Sequence, residues 1–484
     1  MMDTIGSNPH EYDTWQVPAY NITSGNTRVL LSQIGLDPDL DLQHNFTRRA
    51  LWCADGSSAL LQCENRSFQL VHPSPGERGN ITLNHTRTLC QPSPIVDFLW
   101  YPCASRHNPA TYCFIASVRE CPVKLLDGND GRLRASYPIV DHRERQIAPH
   151  SLLFSPTADK LYCGFQDAIE IFDIHRPGEG ERLRTRPSKK SKEGLKGIVS
   201  SLSCSTAGTY FAAGTLTSAS PVADNIALYD VSDGMQVLSV GGIWTHESGG
   251  VVQLMFSPTN EYWLYAAFRR SPRVWAWDLR NTSAPVCRLE SKKETAVGVT
   301  PEGGDFNNAT HVLRYGPTNQ KIHFDIERGG RWMSRGDQEG NIAIYDLHAN
   351  QQFSESTMGG MSGFGIGNAG NGPVNVIHPI QEFNAHSDAV GSVTFHPLQP
   401  VLLSVSGSRH FDAVATPNIS STGSEGSAYS DSDSALTSDE GDGKRAQHCQ
   451  WPHGVIERPR SRPQPTVRDA SVKLWDLGFE NPSL

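Results

Sequence analysis

Apolar and polar residues alternate with a period of two in short runs that recur along this chain, and most of these runs end in an aspartate. They are Val123 to Asp127 (VKLLD), Ile169 to Asp173 (IEIFD), Ile226 to Asp230 (IALYD), Val274 to Asp278 (VWAWD), Ile342 to Asp346 (IAIYD) and Val472 to Asp476 (VKLWD). A seventh, Phe68 to His72 (FQLVH), has lost the acid. Side chains of an extended chain point to opposite faces in turn, and β-branched and aromatic residues favour that state, so each run predicts a strand. Upstream of each sits an apolar strand, a turn and a second strand, most clearly in Leu152 to Phe165, Gln253 to Phe268 and Ser392 to Ser406.

Seven ordered copies of such short strands, five of them closing on aromatic-Asp, predict an all-β fold, a seven-bladed WD40 β-propeller with four strands in every blade. The run ends, at 72, 127, 173, 230, 278, 346 and 476, are spaced more widely than the usual repeat of roughly 40 to 45 residues, so the excess must be loops. The expected organisation is a disordered segment 1–24, a propeller over 25–477 with insertions at about 349–378 and 409–468, and a tail 478–484. A ring has to close, and Thr27 to Ile34 reads as a strand that pairs beside Val472 to Asp476 and leaves no open edge.

Composition changes this picture in two places. The net charge is −9, but Ser420 to Gly443 holds six acidic residues and no base, which leaves −3 on the rest of the chain. That segment is too poor in apolar residues to offset the entropy of ordering, so a disordered loop is expected in the last blade, with Ser430 and Thr437 as candidate phosphorylation sites. Met358 to Asn371 is glycine-rich and reads as a flexible linker. Against the acidic balance stands a basic run of Arg182, Arg184, Arg186, Lys189, Lys190, Lys192 and Lys196, opposed locally only by Glu193. Alternating arginines suit an outer strand and the lysines the loop beyond it, a candidate phosphate-contact surface as well as an ordinary solvated loop.

Other chemistry is sparse. Ten cysteines form no C-x-x-C pair, and the N-terminus has neither a basic stretch nor an apolar run, from which we expect a reducing compartment, no metal site, no cofactor and no membrane span; the eight N-x-S/T sequons then read as chance. His386, Ser404 or Ser406, Asp469 and Trp475 contain the residue types of a hydrolase triad, but in a blade of this kind they form a hydrogen-bond chain between strands, so no enzyme is expected.

Several stretches that propellers in general do not need carry a resemblance. Asn45 to Gly56, Phe98-Leu-Trp-Tyr-Pro102, Arg132 to Ser136, His150 to Pro156, Cys163-Gly-Phe165, Val240-Gly-Gly242, Trp277-Asp-Leu-Arg280, Ile322-His-Phe-Asp325 and Ser406-Gly-Ser-Arg409 resemble, in order, the telomerase Cajal body protein family. The resemblance implies a monomeric RNA-binding scaffold for small nuclear and small Cajal body RNAs, including telomerase RNA. It also implies H/ACA-type ribonucleoprotein partners, a link to splicing particles, and a nuclear, Cajal-body location with some cytoplasmic protein. It places Phe46, His246 and Arg269 on family motif positions, of which Arg269 offers a surface charge. A protein–protein adaptor without RNA contact is the alternative class.

Overall fold

The structure, a computed structural model, describes residues 18–23, 28–39, 42–76, 81–188, 190–191, 193–216, 224–241, 250–282, 284–291, 319–348, 374–411 and 465–478. Ser430, Thr437, His246, Lys189 and Lys192, the acidic segment and the glycine-rich run lie outside the described residues. The chain divides into two compact units, Met1–Ser408 with Val467–Leu484, and Arg409–Thr466. In the second, the described residues form one antiparallel bridge, His410 to Thr466.

The first unit holds seven sheets in propeller order, antiparallel except for one added strand in blade five. Blade one is Thr47–Trp52, Ala59–Cys63, Ser67–Pro75 and Ile81–Cys90. Blade two is Ile95–Trp100, Cys113–Val118, Val123–Asp127 and Leu133–Tyr137. Blade three is Ser151–Phe154, Lys160–Phe165, Ala168–Asp173 and Glu181–Arg184, and blade four is Val199–Cys204, Tyr210–Thr215, Asp224–Asp230 and Gln236–Gly241. Blade five opens with Val251–Phe256, Trp263–Phe268, Val274–Asp278 and Cys287–Leu289, and blade six is Phe324–Ile326, Trp332–Gly336, Asn341–Asp346 and Gln381–Asn384. Every alternating run found in the sequence is the third strand of its blade, buried between neighbouring sheets.

Blade seven, Val390–Phe395, Val401–Ser406 and Val472–Asp476, takes its outer strand from the other end of the chain. Val29–Ile34 pairs antiparallel with it, Leu30 opposite Trp475 and Ile34 opposite Val472. Thr27, the expected start of this strand, lies outside the described residues. A latch precedes it: Ile22 is buried with Trp332, Trp475 and Leu477, the Asn21 N–H donates to the Leu477 carbonyl at 2.8 Å, and Tyr20 meets Phe395 edge-on at 5.8 Å.

Two readings of the sequence need correction. The expectation of four strands in every blade fails at blade five. Asn375–Ile377, which the sequence places inside an insertion, adds a fifth strand there, parallel to Cys287–Leu289. Three residues carry too little periodicity to be seen, and a parallel partner arriving from a later blade leaves no hairpin signature. In blade one the third strand continues past His72 to Pro75, paired with the long strand Ile81–Cys90; prolines suit it there because the second strand pairs with it only as far as Val71.

The sheets are separate, and polar side chains join their inner strands. Asp97 of blade two pairs with Arg49 of blade one at 2.7 Å and accepts the Leu152 N–H of blade three at 2.8 Å. The Ser151 hydroxyl donates to the Val199 carbonyl at 2.9 Å, and Ser201 accepts the Leu254 N–H at 2.7 Å. Gln253 accepts the Phe324 N–H at 2.9 Å and donates to its carbonyl at 2.8 Å. Asp325 accepts the Phe395 N–H at 2.8 Å, and the Ser392 hydroxyl meets the Ala50 N–H at 3.4 Å. All seven junctions are bridged, so backbone groups on the inner strand edges that no ladder reaches still find partners.

Candidate nucleic-acid interface

Antiparallel strands put the start of each inner strand, the turn after each second strand, and the link from each outer strand to the next blade on one face. The hydrogen bonds show how that face is built. After the second strand, the N–H of Glu64, Arg119, Leu216, Arg269 and Gly407 donates to the residue just before its own blade's inner strand, respectively Phe46, Pro94, Ile198, Gly250 and Ala389. Arg119 and Arg269 thus occupy equivalent positions in blades two and five. Arg269 Nε donates to the Asn319 carbonyl at 3.2 Å, and its neighbour Arg270, in the left-handed region at φ 62°, donates to the Asn319 side chain at 2.6 Å. Both guanidiniums are exposed. Asn319 leads into blade six through Gln320 and Lys321. No carboxylate pairs with Arg119, Arg269, Arg270 or Lys321 among the described residues.

The basic run between blades three and four reaches the same face, with fewer available charges than its sequence promised. Arg182, on the outer strand, pairs with Glu170 at 2.7 Å and lies over the Phe165 ring at 5.2 Å. Arg186 pairs with Asp167 at 2.7 Å, in a turn where Asp167 also accepts the Gly197 N–H at 2.8 Å. The expectation that only Glu193 opposes these cations misses two acids that are distant in sequence and adjacent across the sheet. Arg184 and Lys190 remain exposed at the rim.

Phe46 and Gly407, two positions of the motif stretches, meet physically. Phe46 is 2% exposed, and a Cβ on Gly407, whose φ is +141°, would come within 2.3 Å of the Phe46 Cβ. Only glycine allows that approach, so both motif positions support the core. His386, Asp469 and Trp475 form one chain inside blade seven. The Trp475 indole N–H donates to the Ser404 hydroxyl at 2.8 Å, Ser404 donates to His386 Nε2 at 2.8 Å, and His386 Nδ1 faces Asp469 at 3.3 Å. Burial pushes the His386 imidazole down, against the pull of Asp469, and keeps it neutral. Burial also opposes the charge on Asp469, but hydrogen bonds from His386, the Ser471 hydroxyl and two backbone N–H groups outweigh it and hold the carboxyl well below the usual range. The serine of this set is thus spent between strands and presents no nucleophile at a surface.

Sequence reasoning reached Arg269 and missed Arg119, Arg270 and Lys321. A cation directly after an apolar second strand, as in Ser-Val-Arg119 and Ala-Phe-Arg269, would have pointed to the first. Lys321 gives no such sign, because its place is set by how blade six docks. Among the described residues no group of His, Cys, Asp and Glu could hold a metal ion, and no helix is long and apolar enough to cross a membrane.

The class these features define is a seven-bladed β-propeller of the WD-repeat kind with a cationic rim on one face. No family model matches the chain. It is similar to telomerase Cajal body protein 1 of Homo sapiens, 27% identical over 388 residues, 79% of this chain and 60% of that protein. The protein of the same name in Bos taurus is 26% identical over 406 residues, 83% of this chain and 63% of that one. Guanine nucleotide-binding protein negative regulator 1 of Schizosaccharomyces pombe is 25% identical over 305 residues, 60% of this chain and 68% of that protein. The chain spans about three fifths of the length of the Cajal body relatives it matches, and the resemblance read from its motifs extends over about four fifths of its own residues.

Proposed function

We propose that this propeller is a non-catalytic scaffold that binds a small nuclear RNA, in the class of telomerase and small Cajal body RNAs, and helps assemble or localise its ribonucleoprotein in the nucleus. The observation that carries this reading is the placement of Arg184, Lys190, Arg269 and Arg270 on one rim without carboxylate partners among the described residues, in a chain of net negative charge that is similar to proteins named for telomerase and Cajal bodies. Phosphate contacts supply most of the affinity for RNA, and exposed cations on one face meet that need. The RNA's protein partners and a monomeric state belong to the same proposal. So does regulation at Ser430 and Thr437, where added phosphate would repel RNA.

The test is salt dependence. Substituting Arg184, Lys190 and Arg270 together by alanine should weaken binding of a candidate RNA, and the slope of log affinity against log salt should fall by about 0.7 for each single-strand phosphate that is no longer neutralised. Arg182→Ala serves as the control, since Glu170 already holds that charge. An unchanged slope in the triple variant would remove the rim from the interface. The adaptor reading has support from the Schizosaccharomyces pombe relative's name and from apolar side chains exposed on blade four, Met235 at 66% and Val237 at 50%. Recovery of proteins but no crosslinked RNA with the chain from cells would favour it.

A further inference from the structure

At the centre of the cationic rim the inner strands converge, and one residue there is held in a way the fold does not require. Lys321 stands three residues before the blade-six inner strand, half-buried at the mouth of the channel that the inner strands surround. Its segment is pinned from both sides. Arg269 and Arg270 hold Asn319, and a Cβ on Gly391 of blade seven would come within 2.7 Å of the Gln320 side chain and 2.8 Å of the Arg48 carbonyl. The ammonium is thereby placed among like charges from Arg48, Arg49 and Arg269. His150 at the start of blade three faces both Lys321 and Arg119, and His323 faces Lys321 and Arg49.

The carboxylate facing this group is Asp97, and it is engaged already by Arg49 at 2.7 Å and the Leu152 N–H at 2.8 Å. Arg48 has its own partner in Glu64. Among the described residues, what is left is positive charge out of bulk water with no counter-charge of its own. Burial pushes Lys321 below the usual lysine range, Asp97 opposes that, and Arg49, Arg269 and Arg48 push it lower still. Packing a lysine among arginines costs stability, and a protein that needed only closure here could use a neutral side chain.

We propose that the channel mouth is a binding site for a phosphate group, held by Lys321 with Arg119 and Arg269, and with the His150 imidazole as a neutral hydrogen-bond donor. The group is the terminal or looped-out phosphate of a nucleic acid, or a free polyphosphate anion; both offer the same oxygens and charge. The inference does not depend on RNA being the larger ligand.

Inorganic pyrophosphate is the probe. At constant ionic strength it should raise the melting temperature of the full chain and bind in a calorimetric titration, and Lys321→Met should weaken that binding by about ten- to a hundredfold, the range of one charge-assisted hydrogen bond. Without the anion, Lys321→Met should melt at or above the wild-type temperature, because a like charge has been removed; a purely structural lysine would melt lower. Arg119→Gln, on a separate blade, should weaken pyrophosphate binding as well, whereas alanine at both Arg184 and Lys190 should retain it. No response in the wild type, or an equal response in Lys321→Met, would overturn the site. If pyrophosphate binds and competes with RNA, the group is a nucleic-acid phosphate. If it binds without competing, the site serves a free anion. Pyrophosphate binding in a chain that takes up no RNA would leave this site standing and defeat the RNA-scaffold reading.

Discussion

Blades seven and five end their third strands in the same dipeptide, Trp475-Asp476 and Trp277-Asp278, and are wired differently. Trp475 sits opposite Leu402 and Trp277 opposite Leu264. Two residues further along the second strand stands Ser404 in blade seven and Ala266 in blade five. The serine accepts the Trp475 indole N–H and passes the chain on to His386. Trp277 is fully buried and its indole N–H has no hydrogen-bond partner among the described residues. Both blades also take in a strand from elsewhere. For blade seven it is Val29–Ile34, which closes the ring; for blade five it is Asn375–Ile377, which only covers an outer edge. A shared motif therefore marks a shared strand position, and polar wiring is concentrated in the blade where the two ends of the chain must hold each other.

The largest difference should appear on removing the borrowed strands. Deleting residues 1–34 exposes the Val472–Asp476 edge and strips Ile22 from the core, so the truncated chain should lose its cooperative melt and aggregate. Val376→Pro, which breaks the blade-five pairing, should leave a cooperative melt lowered by only a few degrees. Equal effects in circular dichroism melts would erase the distinction between closing and covering.

Next in size is the tryptophan pair. Trp475→Ala should destabilise by about 3 to 5 kcal/mol in denaturant titrations, with any loss of RNA binding following the loss of folded protein. Trp475→Phe keeps most of the volume and should still cost about 1 to 3 kcal/mol, because the Ser404 and His386 arrangement loses a donor. Trp277→Phe removes an N–H that was already unpaired and should cost less than about 1.5 kcal/mol. A Trp475→Ala variant that stays stable yet fails to bind RNA would move this network from scaffold to site.

Acidification should act through buried histidines. Burial pushes His396 down to about 4, against the pull of its bond to the Gly56 carbonyl, and His150 likewise to about 4; His386 is also lowered. The unfolded chain takes up these protons near pH 6.5, before the folded one does, so their contribution is complete above that pH. It is lost as pH falls toward 4, at up to about 1.4 kcal/mol per unit for each group. Asp325 works in the other direction: burial raises its carboxyl to about 6, so the folded state gains as it protonates. Asp469, held low, contributes to acid loss only below the ordinary carboxylate range, near pH 4. Denaturant midpoints for wild type and His396→Gln at pH 7.5, 5.5 and 4.5 should converge as pH falls, and parallel curves would show that His396 does not titrate in this window.

The smallest effect sharpens the comparison most. Ala266→Ser places a hydroxyl where blade seven has one, and pairing it with Trp277 should stabilise by about 1 kcal/mol. A loss of stability would mean that blade five has no room for the hydroxyl, and that its alanine is a packing choice.

The period-two runs, their number and their aromatic-Asp endings were legible in the chain because a strand buried on alternating faces writes that pattern locally. So was the closing strand: an apolar run outside the repeats has one open edge to pair with. The chain of His386, Asp469 and Trp475 followed from residue types at fixed distances from a strand. Other features depend on which distant segments the folded ring brings together. Glu170 and Asp167 neutralise Arg182 and Arg186 across a sheet, and Asn375–Ile377 belongs to blade five although it lies beyond a long insertion. Arg269 of blade five and Lys321, leading into blade six, are brought together through Asn319. Charge pairing and ligand geometry act over a few ångströms in space, whatever the separation along the chain, so the fold had to form before the site could be seen.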